Sequence, residues 1–107
     1  MRPLLLSLLA LVVAPVTAMA GAPIVLTLKN HRFSPAEITV PAGERVSLRI
    51  VNRDGASDEF DSVDLMVEAP ITPHGEAAFT VGPLKPGRYA FQGELHPATA
   101  QGTLIAR

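Results

Sequence analysis

Glu94 and His96 stand two residues apart in the short run Gly93–Gln101, between two segments that read as strands. A carboxylate and an imidazole in a loop pinned at both ends form a candidate metal-ligand pair, because the scaffold is rigid and the loop supplies the chemistry. A second concentration of donors lies earlier, in Asp54–Glu68. It holds Asp54, Asp58, Glu59, Asp61, Asp64 and Glu68, with no basic residue after Arg53. Carboxylates gathered in this way raise the local cation concentration and offer hard oxygen ligands. They are threaded between Phe60, Val63, Leu65 and Met66, which ties the segment to an apolar core and argues against a free solvated loop.

The remaining donors are weaker candidates. His31 precedes Phe33 in an early turn, and a lone histidine is more often a surface or core residue than a ligand. His74 lies in the turn Pro73-His74-Gly75 and reads as solvent-exposed. Met66 offers a soft thioether that would suit Cu(I), but a methionine beside Leu65 is more often a core residue.

Several chemistries are excluded. The chain has no Cys, so it has neither a disulfide nor a thiolate ligand. Ser34, Ser47, Ser57 and Ser62 lack a nucleophile-elbow setting, and no glycine-rich loop of phosphate-binding type occurs, so hydrolase chemistry is not expected. Setting Arg2 aside leaves eight Lys and Arg against ten Asp and Glu, and no basic face for nucleic acid.

The elements that must position these residues are short strands. Ile24–Lys29 alternates Ile24, Leu26 and Leu28 against Val25, Thr27 and Lys29. Asn30–Pro35 reads as a turn around an inward Phe33. Glu37–Val40 is a short strand stopped by Pro41-Ala42-Gly43. Glu44–Arg53 has the clearest alternation, with Val46, Leu48 and Ile50 on one face. In Glu59–Asp61 the same alternation puts Glu59 and Asp61 on one side and Phe60, as a core anchor, on the other. Ala77–Val81, Arg88–Gln92 and Gly102–Ala106 complete the set, and no helical window survives. The ten prolines and eight glycines are largely punctuation between strands. The expected fold is all-β, a small Greek-key β-sandwich or barrel of about seven strands.

Residues 1–20 are set apart from this fold. Met1-Arg2 supplies a positive charge, Leu4–Val13 is apolar except for Ser7, and Ala18-Met19-Ala20 fits a small-x-small cleavage site. That is the pattern of a secretory signal peptide cut after Ala20, and the apolar run is short of the ~20 residues a membrane span takes. The expected domain is residues 21–107, exported with its leader removed.

The stretches Phe33–Asp54 (FSPAEITVPAGERVSLRIVNRD) and Pro86–Ala106 (PGRYAFQGELHPATAQGTLIA) together resemble the cupredoxin family over nearly the whole of residues 21–107. In copper-carrying cupredoxins the first stretch leads to a His. The second runs through Gly-x-Tyr-x-Phe-x-Cys to a His and a Met. By this resemblance Glu59 takes the first His position, Gly93 the Cys position, His96 the second His position and Ala100 the approximate Met position. One ligand of four remains, and a type 1 blue copper site, which needs a thiolate, is excluded. The runs Asp58–Leu65 and Gly93–His96 are similar to a Cys-free cupredoxin subgroup associated with bacterial periplasmic ferrous-iron permease systems.

The resemblance implies a periplasmic metal-binding protein acting in iron uptake. Its partners would be an inner-membrane iron permease system and a second periplasmic metal-binding protein. The implied ligands are His96 and Glu59, with Glu94 and Asp61 or Asp64 completing the set around iron or copper. Oxidation of Fe(II) here would need a partner to take the electron, because the chain carries no second redox group. Two other readings stay open: a copper-binding or delivery module using His96, His31 and Met66, and a metal-free cupredoxin-fold interaction module.

Overall fold

The computed structural model describes residues 21–107. The leader read over Met1–Ala20 lies outside the described residues. Among the described residues nine strands run in order: β1 (Ile24–Lys29), β2 (Arg32–Ser34), β3 (Glu37–Val40), β4 (Val46–Asn52), β5 (Asp58–Ser62), β6 (Val67–Ile71), β7 (Glu76–Val81), β8 (Gly87–Gly93) and β9 (Gln101–Ala106). They form a four-stranded sheet ordered β2-β1-β4-β7 and a five-stranded sheet ordered β3-β9-β8-β5-β6. β1 and β4 are parallel, as are β3 and β9, so the chain crosses between the sheets rather than folding as a simple meander.

The two strands beyond those expected are β2 and β6, both sheet edges. β2 has three residues, too few to show a period, and puts Phe33 inside as expected. β6 carries Pro70, which reads as a breaker in sequence. An edge strand tolerates it because its missing N–H costs no ladder bond there.

The core follows the period-2 pattern. Leu26, Leu28, Leu48 and Ile50 from one sheet face Ile38, Phe60, Phe91 and Leu104 from the other, all buried. Phe60 is fully buried at its centre. Its ring centroid lies 4.9 Å from Phe91, 4.8 Å from Phe79 and 6.0 Å from Phe33. Burying a Phe side chain contributes about 1.5–3 kcal/mol, and the tilted and edge-on ring pairs are favourable geometries. This cluster holds β5 in place and so decides which of its residues face outward.

Candidate metal centre

β5 alternates strictly: Asp58, Phe60 and Ser62 are buried, while Glu59 and Asp61 are half-buried on the opposite face. β5 pairs with β8 through Phe60 and Gly93, and the backbone N–H of Glu94 donates to the Glu59 carbonyl at 2.9 Å. This pairing carries Glu94 to the outer face beside Glu59. Carboxylate oxygens of Glu59, Asp61 and Glu94 all lie within 4.8 Å of one another. The group is electrostatically loaded. Glu94, through its side-chain hydrogen bond and its charge, together with partial desolvation and the charges of Glu68 and Asp61, pushes the Glu59 carboxyl above its ordinary value. Three converging carboxylates are a hard, oxygen-only donor set.

The inner face of β5 is organised differently. Asp58 is buried, its side chain only 1 % exposed. Its Oδ1 accepts the backbone N–H groups of Glu59 (2.7 Å) and Leu95 (3.1 Å), and its Oδ2 lies 2.9 Å from His96 Nδ1. A carboxylate oxygen only accepts, so Nδ1 of His96 is the donor in this contact and Nε2 is the ring nitrogen not engaged with Asp58. Room for Asp58 comes from Gly93. A Cβ there would stand 2.7 Å from Asp58 Oδ2 and 2.7 Å from Ala100 Cβ. The two positions matched by resemblance to Cys and Met are therefore a glycine and a fully buried alanine packed around a carboxylate.

His31 joins from the other sheet. Asn30 and His31 form the two-residue turn between β1 and β2, with φ of 52° and 56°. Asp54 fixes this turn by accepting the backbone N–H groups of Asn30 (2.7 Å) and His31 (2.9 Å). The bond from His31 and that from Asn30 hold the Asp54 carboxyl below its ordinary value, against partial desolvation. Buried Asn52 secures the loop behind. Its Nδ2 donates to the Ala56 and Thr72 carbonyls, and its Oδ1 accepts the Asp54 N–H. The result is a stack: the His31 and His96 rings lie 3.7 Å apart, 15° from parallel.

The proposed ligands therefore divide. Glu59, Asp61 and Glu94 come together; His96 sits on the Asp58 side of the strand, with His31. Asp64 is in the β5–β6 turn, where its Oδ2 accepts the Ala90 N–H at 3.0 Å, apart from the three-carboxylate group. Met66 lies in the same turn, at the far end of β5 from Asp58. It is 91 % exposed, so the core reading of this residue was incorrect: left-handed φ (57°) turns it outward at the tip. His74 is exposed, as expected. Sequence reasoning did not single out Asp58 or Asn52. The signal for Asp58 was available, since the alternation that places Phe60 inside places Asp58 there too.

A family model described as a cupredoxin-like domain matches residues 3–106. The chain belongs to the cupredoxin-like domain family. An uncharacterized protein of Rickettsia prowazekii (strain Madrid E) is 40% identical over 80 residues, covering 75% of this chain. The chain spans 64% of that relative's length. Among solved structures, the metal-binding domain of the Streptococcus pneumoniae Cu(I)-exporting P-type ATPase CopA matches with a TM-score of 0.75. It is 16% identical, with 88% of this chain and 96% of that domain covered. Auracyanin A, a "blue" copper protein from Chloroflexus aurantiacus, matches with a TM-score of 0.70 at 17% identity, covering 80% of this chain and 98% of its own. At these identities the structural matches establish the cupredoxin fold of this chain.

Proposed function

We propose that this cupredoxin-like chain binds a transition metal, and that its outer-face group Glu59, Asp61 and Glu94 takes iron in a periplasmic iron-uptake system. The observation that carries this reading is the approach of the three carboxylates within 4.8 Å on a paired strand and the loop bonded to it. Glu59 is pushed up by its acidic neighbours, so the group is under like-charge strain that a bound cation would relieve. Oxygen-only donors favour a hard or borderline ion such as Fe(II) or Fe(III) over Cu(I).

The copper bound by the structural neighbours supports metal binding as a use of this fold. The Cys-free, carboxylate-rich site supports iron as the cargo. In this reading the exported chain hands iron to an inner-membrane permease, with a second periplasmic metal-binding protein as companion. Where Fe(II) is oxidised, one electron per iron passes to that companion or another acceptor, because this chain has no redox group of its own.

The test is anaerobic calorimetric titration of Fe(II), with Mn(II) as a redox-inert counterpart, into wild type, Glu59→Gln, Glu94→Gln and His74→Ala. The two carboxylate variants should each lose at least about tenfold in affinity, or ~1.4 kcal/mol, and His74→Ala should match wild type. Wild-type affinity in both carboxylate variants would remove the site.

A further inference from the structure

The sheet edges are β2 and β7 in one layer and β3 and β6 in the other. A free edge invites pairing with another chain, and three of these edges are blunted. β2 has three residues and carries Arg32; β3 has four and begins at Glu37; β6 carries Glu68 and Pro70. β7 differs. It has six residues, and beyond Glu76 it holds neither charge nor proline.

The β4–β7 ladder fixes which backbone groups this edge offers. The Asn52 N–H donates to the Gly75 carbonyl at 2.8 Å, while the Arg53 N–H donates the other way, to the Leu28 carbonyl of β1. Bonding direction alternates along an antiparallel pair. In the register Ile50↔Ala77, Leu48↔Phe79 and Val46↔Val81, these residues of β7 therefore bond β4. Glu76, Ala78 and Thr80 direct their N–H and C=O groups away from it, toward an edge that no described strand occupies.

The core is also open on this side. Ala77 and Phe79 face inward beside Ile50 and Leu48, yet both are only half-buried. At the β2 and β3 edges the inward residues Phe33, Ile38 and Val40 are buried. The Phe79 ring centroid lies 4.8 Å from that of Phe60, so the part-exposed aromatic is continuous with the centre of the core.

We infer that β7 is the docking strand for a second copy of this chain, paired antiparallel across a twofold axis so that the two four-stranded sheets become one. The occupant follows from the register. With Ala78 opposite its own counterpart, Glu76 lies opposite the counterpart of Thr80. Every edge-facing N–H and C=O of one strand then meets one of the other. On the outer face no like charges oppose each other, and the side chains at the axis are small. On the inner face Phe79 lies opposite the counterpart of Ala77, large against small, and both part-exposed aromatics are covered. A one-residue slip would set edge-facing groups against groups already bonded to β4. A two-residue slip would leave Glu76 without a strand partner. The contact consists of main-chain bonds and one covered aromatic per copy, so the dimer is weak and concentration-dependent. Glu59, Asp61 and Glu94 belong to the other sheet and its loop, so the pairing is independent of the proposed iron site.

The test is sedimentation of metal-free wild type from micromolar to millimolar concentration at low salt, beside Ala78→Pro, Ala78→Lys and Ala78→Glu. Wild type should pass from monomer to dimer and stop there, because a twofold contact closes on itself. Ala78→Pro removes an N–H that points to the edge and leaves the β4 ladder intact; it should weaken dimerisation by at least about tenfold. Ala78→Lys and Ala78→Glu each set like charges together at the axis. Mixed, they should form a dimer at least about threefold tighter than either forms alone. Thermal midpoints at low concentration check that each variant folds, and the charge pair keeps the test decisive where proline does not. Register is read by NMR in a mixture of labelled and unlabelled wild type. The Hα of Ala77 should contact the Hα of Phe79 between copies, the close approach of a non-hydrogen-bonded pair. A wild type that stays monomeric at millimolar concentration, growth beyond the dimer, a folded Ala78→Pro that dimerises like wild type, no gain on mixing the charge variants, or intermolecular contacts away from β7 would overturn the inference.

Discussion

The Nδ1 of His96 lies 2.9 Å from Oδ2 of Asp58, a buried carboxylate beside Gly93. This bond joins the inner face of β5 to the loop that carries both Glu94 and His96. Asp58 also accepts two backbone N–H groups, so one side chain closes the strand end, anchors the loop and selects the histidine tautomer.

Asp58→Ala and Asp58→Asn should separate these roles. Alanine leaves the part-buried amides of Glu59 and Leu95 and the His96 Nδ1 without a partner, and should cost about 1–3 kcal/mol. Asparagine keeps the acceptor for both amides but presents an NH2 to Nδ1. The imidazole proton must then move to Nε2. The expected outcome is a fold close to wild type with His96 in the other tautomer, read from long-range 1H–15N correlations of its ring. An unchanged ring spectrum in Asp58→Asn would remove Asp58 as the group that sets it.

Phe60 contacts the rings of Phe33, Phe79 and Phe91 across both sheets and is fully buried. Phe60→Ala should destabilise the domain by about 3–5 kcal/mol, and Phe60→Leu by considerably less. Denaturant midpoints at unchanged slope provide the measurement. Because Phe60 fixes which face Glu59 presents, the alanine variant should also loosen the carboxylate group.

Much of this architecture was legible because it rests on period-2 burial. The alternation through Val46–Asn52 and around Phe60 states which side chains go inside, and the structure follows it. The grouping of Glu59 with Asp61 was legible for the same reason. What was not legible depends on pairing across the fold. Glu94 meets Glu59 only because β8 lies beside β5, and His31 meets His96 only because the β1–β2 turn and the β8–β9 loop fall at one end of the sandwich. No spacing along the chain encodes either contact. Asp58 shows a different limit: a charged residue is rarely buried alone, so its type argued for the surface while its position argued for the core, and position prevailed.

Gly93 is where a side chain would disturb the centre most directly. A Cβ at this position would meet the Ala100 Cβ and the Asp58 carboxylate, each at 2.7 Å, within a paired strand that cannot easily move aside. Gly93→Ala should therefore destabilise by about 1–3 kcal/mol. It should also push Asp58 off His96, so the ring correlations should lose the single tautomer expected of wild type. An alanine variant as stable as wild type with the ring signal intact would mean the β8–β9 loop yields freely, contrary to its four-point attachment through Glu94, Leu95, His96 and Ala100.

Glu59 gives opposite pH trends for the free protein and for metal binding. Its carboxyl is raised above the ordinary 4.5 by Glu94 first, then by partial desolvation and the charges of Glu94, Glu68 and Asp61. In the window between 4.5 and the raised value the folded state holds more protons than the unfolded chain. Stability of the metal-free protein from this group is therefore fully present below 4.5 and is lost as pH rises through the folded value. Asp54 and Glu76 act in the other direction, since their carboxyls are lowered, by the His31 amide and by Arg49 respectively, from 3.8 and 4.5. Their contribution is lost only as pH falls below those values, so the windows do not overlap. Metal affinity at the carboxylate group should fall across the Glu59 window on acidification, because protons compete with the cation for the same oxygens. The measurement is the thermal midpoint of metal-free wild type minus that of Glu59→Gln between pH 4 and 7, set beside Mn(II) affinity over the same range. The midpoint difference should shift in favour of wild type as pH falls, while affinity drops. A difference that is flat, or that shifts against wild type on acidification, would mean that Glu59 and Glu94 do not share the close approach on which the proposed iron site depends.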